Sequence, residues 1–338
     1  MPGPKYLLVK GAAGLGNRIF SLLNAILYAR LTRRQLLVDW SDGSYSSNGS
    51  NAIHHFYKSN LFSPADSIPD TDSVEPEIWR GHLHERAISL ATEYMPALRD
   101  DPFLWKRFSV DLSRTDYSQD LLVIWGYFPL IDQMRVHFRG EFSRLRNLNT
   151  DTILRELMSE HLELQPSIGE RVRLLRSSWP SGPTLGVHVR YTDKKTNVDA
   201  IRSKVDELRS QHPGMQVFLA TDSQAVENSF AQAIPGLLTA PKWYPTGNHK
   251  LHESMECPDK TVNGMEALTD LYLLAGCDSL VLDTRSSLSR LASILARERS
   301  HIYNMCAVVV PQRIRHLVWA TRETIRWGPR RFLAGLRK

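Results

Sequence analysis

The chain reads as an α/β protein made of two Rossmann-like halves facing a central cleft. Apolar runs of strand length alternate with segments of helical period. A glycine-rich turn closes the first strand, and Ser177-Ser-Trp-Pro-Ser-Gly-Pro183 interrupts the pattern midway. With 338 residues, 42% hydrophobic and 23% charged, the composition suits a folded, water-soluble protein of two domains and excludes disordered, collagen-like and disulfide-scaffold classes.

Tyr6 to Lys10 is the first strand. Gly11 to Gly16 forms a turn, Ile19 to Leu31 a helix with Ile19, Leu22, Leu23, Ile26 and Leu27 at helical spacing, and Gln35 to Trp40 a second strand. Ser41 to about Asp72 is rich in Ser, Asn, Gly, Asp and Pro and reads as a long loop. Leu121 to Phe128 reads as another buried strand, and Thr152 to Trp179 as two helices. Beyond the break come strands at Thr184–Arg190, Gln216–Thr221, Ser279–Asp283 and His301–Met305, with helices at Asp199–Ser210, Ser223–Ala233, Asn263–Ala275 and Ser286–Glu298. The expected division is residues 1–178, 183–311 and a tail at 312–338.

The net charge of +6 sits in that tail. From Arg313 to Lys338 there are eight Lys or Arg against Glu323, which is +7, so the first 312 residues sum to −1. Trp319, Ile325, Trp327, Phe332, Leu333 and Leu336 are interleaved with these charges, a composition suited to an anionic membrane surface. Nothing in the pattern calls for a nucleic-acid partner. Cys257, Cys277 and Cys306, odd in number and without CxxC spacing, exclude a zinc ribbon and a disulfide framework. A reducing, cytoplasmic setting is expected, with peripheral attachment through the tail.

Chemistry belongs at the carboxyl ends of the strands. Gly11-Ala-Ala-Gly14-Leu-Gly16, with Asp39 ending the next strand, has the look of a dinucleotide turn, so an NAD(P)-dependent oxidoreductase is one alternative. Asn17-Arg18 stand where such folds want small residues. His188-Val-Arg190-Tyr-Thr-Asp193-Lys194 crowds charge onto a strand end, where a diphosphate is the obvious partner. Asp283-Thr-Arg-Ser286-Ser287 joins a strand to a helix start, whose N–H groups and hydroxyls favour anions. His249, His252 and Glu253 match no metal-ligand spacing and read as a flap; no metal site and no cofactor are expected.

In order, Gly14-Leu-Gly16-Asn17-Arg18, Leu37-Val-Asp39-Trp40, Gly43-Ser-Tyr45, Gly186-Val-His188-Val-Arg190, Phe218-Leu-Ala-Thr221-Asp222 and Arg285-Ser-Ser287 resemble the α-1,6-fucosyltransferases. The pattern is most like the bacterial nodulation type, with a more distant likeness to core-glycan and peptide-O-fucosyltransferases. The resemblance implies a GT-B fold and metal-independent, inverting transfer of fucose from GDP-fucose to an oligosaccharide or glycan hydroxyl. It implies that Arg190 grips the β-phosphate, Ser286 and Ser287 back the phosphates and Asp270 binds guanine. His188, Lys194, Asp222, Gly14, Gly16 and Asn17 complete the implied donor site. The glutamate that serves as general base in the family has no clean match, its place falling on Val198, so Asp193 and Asp199 nearby are the candidates for that role. Tyr191 stands where relatives often carry a second Arg. A degenerate sugar-nucleotide binder is the other alternative.

Overall fold

The computed structural model describes residues 3–64, 68–94, 104–192, 196–246, 254–298 and 301–306. The basic tail, Asp193, Lys194, His249, His252 and Glu253 lie outside them.

Strands β1 (Tyr6–Lys10) and β2 (Gln35–Asp39) flank helix α1 (Leu15–Thr32). Then come α2 (Ile53–Phe56), β3 (Tyr57–Lys58), β4 (Phe62–Pro64), β5 (Val74–Glu75), α3 (Ala87–Glu93), β6 (Leu121–Ile124) and α4 (Ile131–Met134). Next are α5 (Thr150–His161), β7 (Glu163–Leu164), α6 (Pro166–Ser177), β8 (Thr184–Val189), α7 (Val198–Gln211), β9 (Gln216–Thr221) and α8 (Gln224–Ala233). The series closes with α9 (Lys260–Ala275), β10 (Ser279–Leu282), α10 (Ser287–Leu295) and β11 (Ile302–Asn304).

The first sheet runs β4-β2-β1-β6-β5 and the second β11-β10-β8-β9, each wholly parallel. Both contain the reversal of strand order at which α/β folds open a crevice, beside β1 in one and between β8 and β10 in the other. β6 is apolar throughout and β1 and β8 nearly so, and all three are buried along almost their whole length, as expected of parallel strands covered on both faces.

Helix starts are set locally. Asn149 accepts from Thr152 N at 2.8 Å, Asn197 from Ala200 N at 3.0 Å, and Asp259 from Thr261 N at 2.9 Å and Val262 N at 3.0 Å. Helix α1 begins at Leu15, four residues before the apolar repeat, and its cap is Gly14. Two expectations need correction. The supposed loop at 41–72 holds α2, β3 and β4, the last extending the first sheet beside β2. The strand expected at 121–128 stops at Ile124, where Gly126 breaks the run and Asn24 of α1 bonds the Phe128 carbonyl and Leu130 N.

The sheets share one apolar core that includes Leu7 and Ile26 from the first half and Phe218, Leu271 and Leu291 from the second. Helix α5 also bridges the halves. Arg155 donates to the Ile294 and Ala296 carbonyls at 2.5 and 3.4 Å, placing its cation at the negative end of α10, and Asp151 pairs with Arg290 at 3.3 Å.

Candidate functional site

A cleft of about 280 Å³ lies where the two strand rims meet, lined by the start of α1, the ends of β8 and β9, one face of α9 and the start of α10. Of the residues singled out from sequence, Gly14, Gly16, Asn17, His188, Arg190, Asp222, Asp270, Ser286 and Ser287 all line it.

Gly16 makes the meeting possible. A Cβ there would stand 2.6 Å from Ser287 Oγ and 2.8 Å from the Ser287 carbonyl carbon, so only hydrogen lets the first turns of α1 and α10 touch. Two positive helix ends thereby converge on one space. Ser286 caps α10 without a side-chain bond to its backbone, and Tyr45, buried beside the cleft, accepts from Leu15 N at the head of α1. Burial pushes the Tyr45 phenol up to about 12.

Arg190 follows the last residue of β8, and Asp222 engages its Nε at 3.1 Å. The same carboxylate accepts Tyr191 N at 2.7 Å and Thr192 Oγ1 at 2.6 Å. Asp222 therefore braces the turn that carries Arg190, with protein donors on both of its oxygens. Tyr191 packs its ring toward the core beneath the second sheet, away from the cleft lining.

His188 is buried, with Nδ1 2.6 Å from Ser289 Oγ. Burial, against the pull of the Asp222 carboxylate, lowers its pKa to about 4, so the imidazole is neutral near pH 7. It ties the end of β8 to the first turns of α10. Arg285 turns back to chelate Asp283 at 2.5 to 3.0 Å.

On α9, Asn263, Glu266, Ala267 and Asp270 face the cleft at spacings of three and four. Asp270 is buried and Lys242 Nζ donates to its Oδ2, while Oδ1 has no hydrogen-bond partner among the described residues. Burial raises the Asp270 pKa against the opposing pull of Lys242. Trp243 N donates to Glu266 Oε2 at 3.1 Å, and burial raises the Glu266 carboxyl as well.

Asp199 sits exposed on the first turn of α7 and does not line the cleft. An acid there complements the positive helix end, and this corrects its reading as a base facing the reaction. The dinucleotide alternative also loses its ribose ligand. Asp39 is buried against Lys10 Nζ at 2.5 Å and takes the Ser41 N–H and hydroxyl. The glycine of that turn nearest β1, Gly11, makes room for protein: a Cβ would come 2.3 Å from Arg18 Nη1 and 2.7 Å from Trp40 Cδ1.

Tyr45, Lys242, Trp243, Asn263 and Glu266 were not picked out as site residues from sequence. Asn263 and Glu266 were findable, since they share the α9 face of the chosen Asp270. Lys242 and Trp243 lie in coil, where no period marks them.

Residues 149–312 match the family model described as nodulation protein Z. A nodulation protein Z of Azorhizobium caulinodans is 27% identical over 87% of this chain and 90% of its own. One from Bradyrhizobium diazoefficiens is 23% identical over 86% and 79%. A crystal structure of a NodZ α-1,6-fucosyltransferase soaked with GDP-fucose superposes with a TM-score of 0.61 at 21% identity, covering 87% of this chain and 93% of that one. The resemblance found in the sequence is thereby borne out: the chain has the GT-B fold of the fucosyltransferases and, across residues 149–312, the sequence pattern of the nodulation protein Z family.

Proposed function

We propose that this protein is a fucosyltransferase that moves fucose from GDP-fucose to a hydroxyl of an oligosaccharide or glycan, by an inverting and metal-independent route. The observation that carries the reading is the make-up of the cleft. One wall offers Arg190 and two helix starts, and the other a buried carboxylate with an oxygen to spare. A nucleoside diphosphate has the matching parts, anionic at one end and rich in N–H donors at the other. The sequence and fold likenesses to nodulation protein Z support the same donor.

The chemistry follows from charge. As the bond from the anomeric carbon to the diphosphate lengthens, negative charge grows on the phosphates. Arg190, fixed by Asp222, and the N–H groups heading α1 and α10 oppose that charge without reorganising, so they stabilise the transition state more than the bound donor. Inversion needs one displacement and one base for the acceptor proton. With Asp199 off the cleft, Asp193, three residues beyond Arg190 in sequence, is the candidate; Lys194 is the further candidate cation for the phosphates. Residues 1–178 and 183–311 are read as the acceptor and donor halves. The cysteine pattern supports a reducing, cytoplasmic setting, and the tail composition supports peripheral attachment to an anionic membrane.

GDP released from GDP-fucose should rise on adding acceptor oligosaccharides and persist in EDTA, and the new bond should have the configuration opposite to the donor. Arg190→Ala should weaken GDP binding by about 1.5–3 kcal/mol, the range for a charge-assisted contact, and lower turnover at least as much. Undiminished transfer by that variant, or complete loss in EDTA, would refute the mechanism.

A further inference from the structure

Across the cleft from Arg190 and the helix starts, Lys242 and Asp270 together offer one donor and two acceptors. Lys242 Nζ donates to Asp270 Oδ2, and Oδ1 is the buried oxygen lacking a partner among the described residues. Such an oxygen is costly unless a ligand donor reaches it. The pair is held in place. Trp243 N is fixed on Glu266, one turn before Asp270 on α9, and Tyr244 Oη donates to Glu227 of α8 at 2.6 Å. Lys242 lines the cleft with its side chain only 4% exposed, so it is not a solvent-facing lysine in passing contact.

The Watson–Crick edge of guanine presents an acceptor, O6, followed by two donors, N1–H and N2–H. We propose that Lys242 is a base-specificity residue that donates to guanine O6 while the two Asp270 oxygens accept N1–H and N2–H. This deepens the GDP-fucose reading and rests on it. Adenine inverts the first two positions. Its amino group would face the ammonium and its unprotonated N1 the carboxylate, leaving buried polar groups unpaired, the situation that gives strong rejection. Hypoxanthine keeps O6 and N1–H but lacks the N2 donor. The two residues thus read different atoms: Lys242 separates oxo from amino purines, and Asp270 Oδ1 senses the 2-amino group.

Competition binding of GDP, IDP and ADP to the full-length chain, wild type and Lys242→Met, separates these roles. The preference for GDP over ADP should fall about tenfold or more in the variant, the scale of one hydrogen bond to a charged donor, while the preference for GDP over IDP is retained. An unchanged GDP-to-ADP ratio would overturn the proposal. So would a parallel loss of the GDP-to-IDP ratio, which would mean that Lys242 merely holds Asp270 in place. Wild-type protein supplies a test independent of the variant's folding: 6-thio-GDP, whose sulfur accepts poorly, should bind about tenfold more weakly than GDP. Equal binding would overturn the proposal. Failure of every nucleoside diphosphate to bind the wild-type chain would refute the donor reading itself.

Discussion

At the scale of the residue, His188 illustrates how a polar side chain at a strand end becomes structural. An unfolded imidazole titrates near 6.5 and this one near 4, because its site is dry and its Nδ1 already faces Ser289. Between those values the unfolded chain binds more protons than the folded one, so stability rises with pH across the window and is lost as pH falls through it. The loss should approach on the order of 3 kcal/mol below pH 4. Burial lowers His161 in the same direction, and Asp39 and Asp283, held below the usual carboxylate range, lose stability only in stronger acid. The measurement is therefore a difference: denaturant unfolding from pH 7 to 4 of wild type against His188→Gln. The variant should show the shallower decline, and parallel curves would show that His188 titrates normally.

At the scale of the element, the site depends on two helices starting at the same point. Sequence marks each start, by Gly14-Leu-Gly16 and by Ser286-Ser287, but not their contact. Gly16→Ala must push back a backbone carbon 2.8 Å away, which costs about 1–3 kcal/mol in a packed interface and widens the anion site. Gly169, inside α6 with nothing within 4 Å of a built Cβ, is the matched control; Gly169→Ala should stabilise by about 0.5–1 kcal/mol through helix propensity alone. Denaturant midpoints check the opposite signs, and calorimetry with GDP should show weaker binding for Gly16→Ala only.

At the scale of the whole molecule, the halves are joined by a shared core and by α5, whose Arg155 and Asp151 both seize α10. Helix α9 adds a second tie, with Lys260 donating to the Gly43 carbonyl at 2.9 Å and Thr261 to that of Tyr45 at 3.0 Å. The surplus charge lies elsewhere, in residues 313–338. If that tail holds the protein to an anionic membrane, with about 1 kcal/mol from each basic residue near the surface, the full chain should co-sediment with anionic vesicles. A chain ending at 312, or the full chain in 0.5 M salt, should not, while both transfer fucose to a soluble acceptor. Equal sedimentation of the two chains would refute membrane attachment.

Most secondary-structure elements and much of the site lining were legible in the sequence, because both are local properties. Apolar runs locate strands, strand ends locate the rim, and so Gly14, His188, Arg190 and Ser286 could be named before any fold was known. Asp270 came from family resemblance, although its helix was visible in the periodicity. The partners of buried charge were not legible. Lys10 locks Asp39 across 29 residues, Asp222 braces Arg190 across 32, and Lys242 meets Asp270 across 28. Each pairing turns a candidate ligand into a brace, or a coil lysine into a cleft residue. Tertiary structure alone decided these roles, because desolvation is tolerated only where an opposite charge or donor arrives, and which one arrives depends on how distant segments pack.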